Sequence, residues 1–193
     1  MENYTKYRWF LTKKENLVVG GKNSKQNDEL LSSTKKSAEH DFIVMHTKEP
    51  GSPFSIIFSE NPSESEIKEA AIFTACFSKA WKSSKKTAEI DIFKLSKIYK
   101  TKAMKQGTWG VKEKVKTLKV NLNLSLVIQK EKLRAVPIES VNSKKDAFFI
   151  IKQGKSDKME IAEKIYLSLN KKFSKEEILS ALPAGGIGLE NVK

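Results

Sequence analysis

Twice within the first sixty residues an apolar run of strand length ends in glycine. In Leu17-Val18-Val19-Gly20-Gly21 the run stops at a glycine pair. Small polar residues suited to capping a helix follow, and Leu30 and Leu31 lie within that helix. In Phe42-Ile43-Val44-Met45-His46-Thr47 the run gives way to Lys48-Glu49-Pro50-Gly51-Ser52-Pro53, then resumes as Phe54-Ser55-Ile56-Ile57. Glycine at such points lets the backbone turn or come close to a ligand. Short strands broken by tight turns, with helices between them, predict an α+β fold with a mostly antiparallel sheet.

The remaining elements follow from periodicity. Tyr7–Leu11 pairs with Leu17–Val19 across the turn Thr12–Asn16, and Ser24–Ser33 is a short helix. The strongest helix signal is a capping box, Ser63 with Glu66, followed by Ile67, Ala70, Ala71, Thr74, Phe77 and Trp81 at helical spacing. It predicts one long helix over Ser63–Lys86, lying with the shorter helix on one side of the sheet. Further strands are expected at Ile90–Leu95, Gly107–Val111 and Lys116–Ile128. In the last, Leu118, Val120, Leu122, Leu124 and Leu126 alternate with polar residues, as in one half-buried antiparallel strand. Composition changes near Gln129-Lys130-Glu131-Lys132. Beyond it come a strand at Ala147–Ile151, helices over Asp157–Asn170 and from Ser174, and a glycine-rich turn after Pro183. We therefore expect a main domain over residues 1–128 and a small α/β extension over 129–193, packed against it.

The chain has 193 residues, 39% apolar and 31% charged, enough for a core and a soluble surface. No apolar run approaches the roughly 18 residues of a membrane helix, and the N-terminus lacks a signal peptide's apolar segment. A cytoplasmic protein with no membrane partner is expected. The single cysteine, Cys76, excludes an internal disulfide. With only His40 and His46 to join it, no metal site is expected.

Net charge is +13, carried by lysine except at Arg8 and Arg134. Residues 79–119 hold thirteen lysines against Glu89, Asp91 and Glu113, a net of +10. Lysine-rich codon usage and cations at a helix C-terminus are bland explanations for part of this. A one-sign cluster nevertheless repels itself and more often has an anionic partner. Lysine is a point charge, suited to phosphate and poorly suited to reading bases. Phosphate contacts are accordingly expected from Lys97, Lys100, Lys102, Lys105, Lys112, Lys114 and Lys116. Trp109, between Gly107 and Gly110, either stacks on a base or ribose or packs under lysine stems.

Catalytic chemistry finds little support. Gly20-Gly21-Lys22 lacks both the GxxxxGK[ST] spacing of a phosphate loop and a Rossmann GxGxxG. A turn bringing Lys22 and backbone N–H groups to a phosphate fits better. His46 has no spacing to Ser52, Cys76 or Asp41 that marks a triad. No cofactor is expected.

Together these glycine-terminated stretches resemble the RNA-binding domain of the NFACT proteins, NFACT-R. Tyr7-Arg8-Trp9-Phe10, Phe77-Ser78-Lys79-Ala80-Trp81-Lys82, Leu95-Ser96-Lys97 and Gly107-Thr108-Trp109 also match, in the family's order, over roughly residues 4–128. The resemblance implies a non-enzymatic module that binds RNA, linked in longer relatives to tRNA and ribosome quality control. Its RNA would be tRNA or ribosomal RNA, with the large ribosomal subunit a candidate partner. With no upstream NFACT-N domain or coiled-coil arm, a stand-alone form is expected. His46, at a position usually histidine in the family, joins Arg8, Lys22 and Asn27 as candidate RNA contacts. Two alternatives stay open: an enzyme or enzyme accessory in tRNA modification, and a general DNA- or polyanion-binding protein.

Overall fold

A computed structural model describes residues 3–113 and 116–192. Lys114, one of the expected phosphate contacts, lies outside them. The chain is α+β with antiparallel sheets. β1 (Arg8–Leu11) and β2 (Leu17–Gly20) form the expected hairpin. α1 (Ser24–Ser37) follows, capped by the Asn23 side chain, which accepts from Gln26 N–H. β3 (Ile43–Thr47) and β4 (Ser55–Phe58) are the second expected pair, and β5 (Thr87–Lys94) and β8 (Lys116–Asn121) close a six-stranded sheet, β1-β2-β4-β3-β5-β8. Short β6 (Ile98–Tyr99) and β7 (Gly110–Val111) bracket the basic loop.

Strand alternation sorts the apolar residues onto two faces. Trp9, Val19, Val44, Ile56 and Phe93 face α1 with its Leu30 and Leu31. Phe10, Val18, Met45, Ile57, Ile90 and Ile92 face α2 (Glu64–Cys76). The two helices thus cover opposite faces of the sheet, where one side was expected. Buried residues such as Ile72 and Phe73 on α2 contribute about 1.5–3 kcal/mol each.

The long helix ends earlier than its periodicity predicts. Phe77 leaves helical geometry and Ser78 is extended. Ser78 Oγ donates to Ala75 O at 2.7 Å and accepts from Ala80 N at 3.0 Å, closing α2 and starting the short α3 (Lys79–Lys82). Trp81 is buried either way, so helical spacing continued through a break.

The strand expected over Lys116–Ile128 is two strands in different sheets. The break falls at Leu122-Asn123, beside turn-favouring asparagines. β9 (Leu124–Gln129) joins β10 (Lys132–Pro137), β11 (Phe149–Ser156) and β12 (Ile187–Asn191) in a four-stranded sheet, β10-β9-β11-β12. β12 had been read only as the region after a glycine turn. α4 (Lys158–Ser168) and α5 (Lys175–Ala181) complete this part, capped by the side chains of Asp157 and Ser174. The second sheet packs on the side of α2 away from the first, so one cluster runs from Phe10 through Phe73 to Leu126, Ile151 and Ile178. The Gln129 amide also bridges the sheets. Its Oε1 accepts from Leu11 N at 2.8 Å and its Nε2 donates to Leu11 O at 2.9 Å, occupying the free edge of β1.

Glu66 ties the first hairpin to α2. Its buried carboxylate accepts from Thr12 Oγ1 (2.9 Å), Asn16 Nδ2 (2.6 Å), Ser63 N (2.9 Å) and Ser63 Oγ (2.7 Å). Burial opposes ionisation, but these donors outweigh it and hold the carboxyl at about 2, below an ordinary value of 4.5. A depressed carboxyl stabilises the fold above its unfolded value. That stability should fade as pH drops from about 4.5 toward 2. Glu66→Gln should lower stability at pH 7 by about 1–3 kcal/mol and flatten the acid limb of a denaturation profile. An unchanged acid limb would contradict the assignment.

The expected division after Ile128 falls within β9, whose neighbours β10 and β11 both lie beyond it. Truncation after Ile128 is expected to abolish cooperative thermal unfolding followed by circular dichroism. A retained cooperative transition would support a self-standing unit upstream.

Candidate nucleic-acid interface

The end of β2, the start of α1, the 47–53 loop, the Phe77–Lys82 segment and residues 106–109 surround one open cleft of about 660 Å³. Local sequence builds each wall. Gly21 N donates to Phe54 O at 3.3 Å. A Cβ at Gly21 would lie 2.2 Å from Asn27 Oδ1, so only glycine permits this approach. Asn27 is itself buried, its Oδ1 accepting from Phe54 N at 3.1 Å and its Nδ2 reaching Ser52 O at 3.5 Å. It joins α1 to the 47–53 loop.

Asp28, one residue on, holds the basic loop. Its carboxylate accepts from Lys100 Nζ at 3.1 and 3.2 Å, from Gly107 N at 2.9 Å and from Trp109 Nε1 at 2.7 Å. Burial pushes its acidity one way, and the Gly107, Trp109 and Lys100 hydrogen bonds reverse it, leaving the carboxyl below its ordinary value. Lys100 also donates to Lys105 O at 2.8 Å and Thr108 O at 3.0 Å. Gly107 has φ +80° and packs where a Cβ would meet Ser24 Cβ at 2.6 Å. The loop is therefore clamped to the start of α1 through a carboxylate that the sequence did not single out. An aspartate in a helix carries no signal of a partner some eighty residues away.

The sequence-predicted residues divide. Arg8, Lys22, Asn27, His46 and Trp109 line the cleft together. Trp109 is half-buried, its indole N–H held by Asp28 and its ring packed against the cluster on the α1 side of the sheet. Lys102 and Lys105 are exposed on the loop beside the cleft. Lys97 pairs with Glu113, and Lys112 lies 6.0 Å over the Tyr99 ring. Lys116 is exposed at the start of β8. These three do not line the cleft. Lys48, Lys79 and Lys82 do, Lys79 and Lys82 from the lysine-rich segment 79–119, and α2 stops at Cys76, short of both.

The cleft is cationic. Arg8, Lys22, Lys48, Lys79 and Lys82 line it against one carboxylate, Asp91, which accepts from Thr117 Oγ1 at 2.8 Å. Lys48 pairs with Glu89 at 3.0 Å. Lys22, Lys79 and Lys82 have no ion-pair partner among the described residues. Arg8 stacks at 4.5 Å on the Phe77 ring, and burial pushes its guanidinium down to about 10. His46 is half-buried 4.4 Å from the Phe54 ring, its Nδ1 within 2.6 Å of Thr47 O. Burial lowers its pKa against the opposing effects of Thr47 and Asp91. The imidazole is therefore neutral near pH 7, with Nδ1–H donating to Thr47 and Nε2 left as an acceptor.

This fold and this cleft define a basic α+β domain whose cleft gathers cations and a half-buried aromatic. Residues 6–113 match the family described as the NFACT protein RNA binding domain, and the chain belongs to that family. Over 90 residues it is 37% identical to the Rqc2 homolog RqcH of Bacillus subtilis (strain 168), an alignment covering 47% of this chain. The chain spans only 15% of that relative's length. Among solved structures, the C-terminal part of the fibronectin/fibrinogen-binding protein from Streptococcus suis is similar, with TM-score 0.53 and 28% identity. That likeness covers 60% of this chain and 45% of that one.

If Asp28 is the clamp, Asp28→Ala should free the loop. Trypsin should then cut after Lys102 or Lys105 several-fold faster, at a stability cost of about 1–2 kcal/mol. Cleavage at the wild-type rate would mean that other contacts hold the loop.

Proposed function

We propose that this protein binds structured RNA, tRNA or ribosomal RNA, without catalysis, by seating the phosphate backbone in the cleft. The carrying observation is the set of five cations, Arg8, Lys22, Lys48, Lys79 and Lys82, facing a single carboxylate. Lys102 and Lys105 extend the positive field along the loop. Asn27, Lys100 and Trp109 Nε1 hold the walls in place, and the exposed parts of His46 and Trp109 supply an acceptor and an aromatic surface. Similarity to RqcH supports a role in ribosome quality control, and the large ribosomal subunit is the partner we propose.

Several observations favour binding over chemistry. The Cys76 thiol is buried, and desolvation pushes its pKa well up, so little thiolate forms. Ser52 Oγ donates to Pro53 O and accepts from Thr47 N, leaving His46 without a nucleophile to activate. Asp41 is held by Ser96 through both of its oxygens.

With about five to seven phosphates neutralised, log K should fall against log salt with a slope of about −4 to −6. Lys22→Glu/Lys79→Glu/Lys82→Glu should weaken binding to a structured RNA by well over tenfold. The same reversal at Lys130, Lys132 and Lys145, remote from the cleft, should have a much smaller effect. Equal weakening by both triples would mean that net charge alone drives binding. Lys100 is left out of the test because reversing it would also break the Asp28 clamp.

A further inference from the structure

Both arginines of this chain meet at the seam between the six-stranded and four-stranded sheets. Arg8 comes from β1 and Arg134 from β10, more than a hundred residues later and beyond the segment that matches the family. With Lys22 they line a small recess next to the main cleft, whose walls also include Trp9, Phe77 and Ser180. Each guanidinium lies over an aromatic ring, Arg8 at 4.5 Å from the Phe77 centroid and Arg134 at 4.2 Å from the Trp9 centroid. A cation held over a ring face can still donate through its N–H groups. Arg8 Nη1 reaches Ser180 O at 3.3 Å and Arg134 Nη1 reaches Leu133 O at 2.9 Å. Arg134 Nε is buried with no acceptor among the described residues. None of Arg8, Lys22 and Arg134 has a carboxylate within ion-pair distance among the described residues. Glu177, the acid whose charge acts on Arg134, is hydrogen-bonded to Leu133 N at 3.0 Å.

Holding like charges together without a counter-ion is costly, and the cost is visible. Burial lowers Lys22, with Arg8 and Arg134 adding to the effect. Lys158, whose ammonium donates to Leu182 O at 3.0 Å, is pushed to about 8 by burial and by Arg8. A planar pair of guanidiniums with an adjacent ammonium is the donor set that a tetrahedral oxyanion satisfies.

We propose that Arg8, Lys22 and Arg134 form a site for a single phosphate group at the edge of the cleft, completed by the C-terminal region. The assignment of that phosphate to the bound RNA chain rests on the function proposed above. The C-terminal sheet then has a role beyond stability, since it supplies a cation that the family-matching segment lacks.

The test uses the full chain and two probes. Inorganic phosphate, with chloride at matched ionic strength as control, is titrated while the Trp9 indole N–H resonance is followed. A saturable shift in the wild type that is absent in Arg134→Gln and in Lys22→Gln supports the site. Lys22 is exposed, so its variant should fold even if Arg134→Gln does not. No shift, or the same shift in both variants, overturns the proposal. The second probe is a structured RNA. Arg134→Gln should weaken its binding about five- to tenfold and make the salt slope shallower by about one, while Lys132→Gln on the same strand should change it less than twofold. If phosphate binds but the RNA slope is unchanged, the site takes free phosphate and the RNA assignment falls. If phosphate binds and wild-type protein binds no RNA, the failure belongs to the proposed function and not to the site.

Discussion

Burial of α2 between two sheets is the constraint on which the rest of the structure depends. One side of the helix covers the six-stranded sheet, and the other meets the four-stranded sheet. From Glu69 to Cys76 every residue of the helix is buried, and Glu66 and Glu69, buried along it, must be satisfied. Glu66 gathers four donors, and Glu69 accepts from Lys13 N at 2.9 Å. The end of the helix has equal weight. By stopping at Cys76 it releases Phe77, Ser78 and Lys79 to the cleft, where Phe77 supports Arg8 and Lys79 N donates to Gly51 O at 2.9 Å. Had α2 run on to Lys86, as its apolar spacing suggests, these residues would sit along a helix instead of lining the cleft.

Local chemistry made much of this readable from sequence. Both hairpins, the capping box at Ser63, the helix starting at Ser174, and the glycine turn before α1 all depend on residues close in the chain. Arg8, Lys22, Asn27 and His46, candidates in the sequence, line one cleft. What could not be read depends on partners far apart. The alternation from Leu118 to Leu126 does not say that the strand changes sheets at Asn123. Nothing near Asp28 announces Lys100, Gly107 and Trp109. The lysine count over residues 79–119 located the charge but not its use. Lys100 and Lys97 are held by acids, whereas Lys79 and Lys82 face the cleft.

The electrostatics follow from that sorting. A surface lysine paired with a carboxylate contributes little to long-range attraction, and paired exposed charges contribute little to stability. Cations that lack partners keep their field. In this chain Arg8, Lys22, Lys79 and Lys82 lie where two glycine-dependent turns bring the walls of the cleft together, so charge and geometry meet there. Salt at about 0.15 M screens isolated charges beyond roughly 8 Å, which favours a ligand that enters the cleft over one that stays outside it.

Amide chemical-shift mapping with a structured RNA at about 0.15 M salt tests this most directly. The account predicts perturbations at Gly21–Ser24, Thr47–Ser52, Phe77–Lys82 and Gln106–Trp109, with the turn at Lys130 unaffected. Perturbations spread evenly over exposed lysines, the Lys130 turn included, would contradict it.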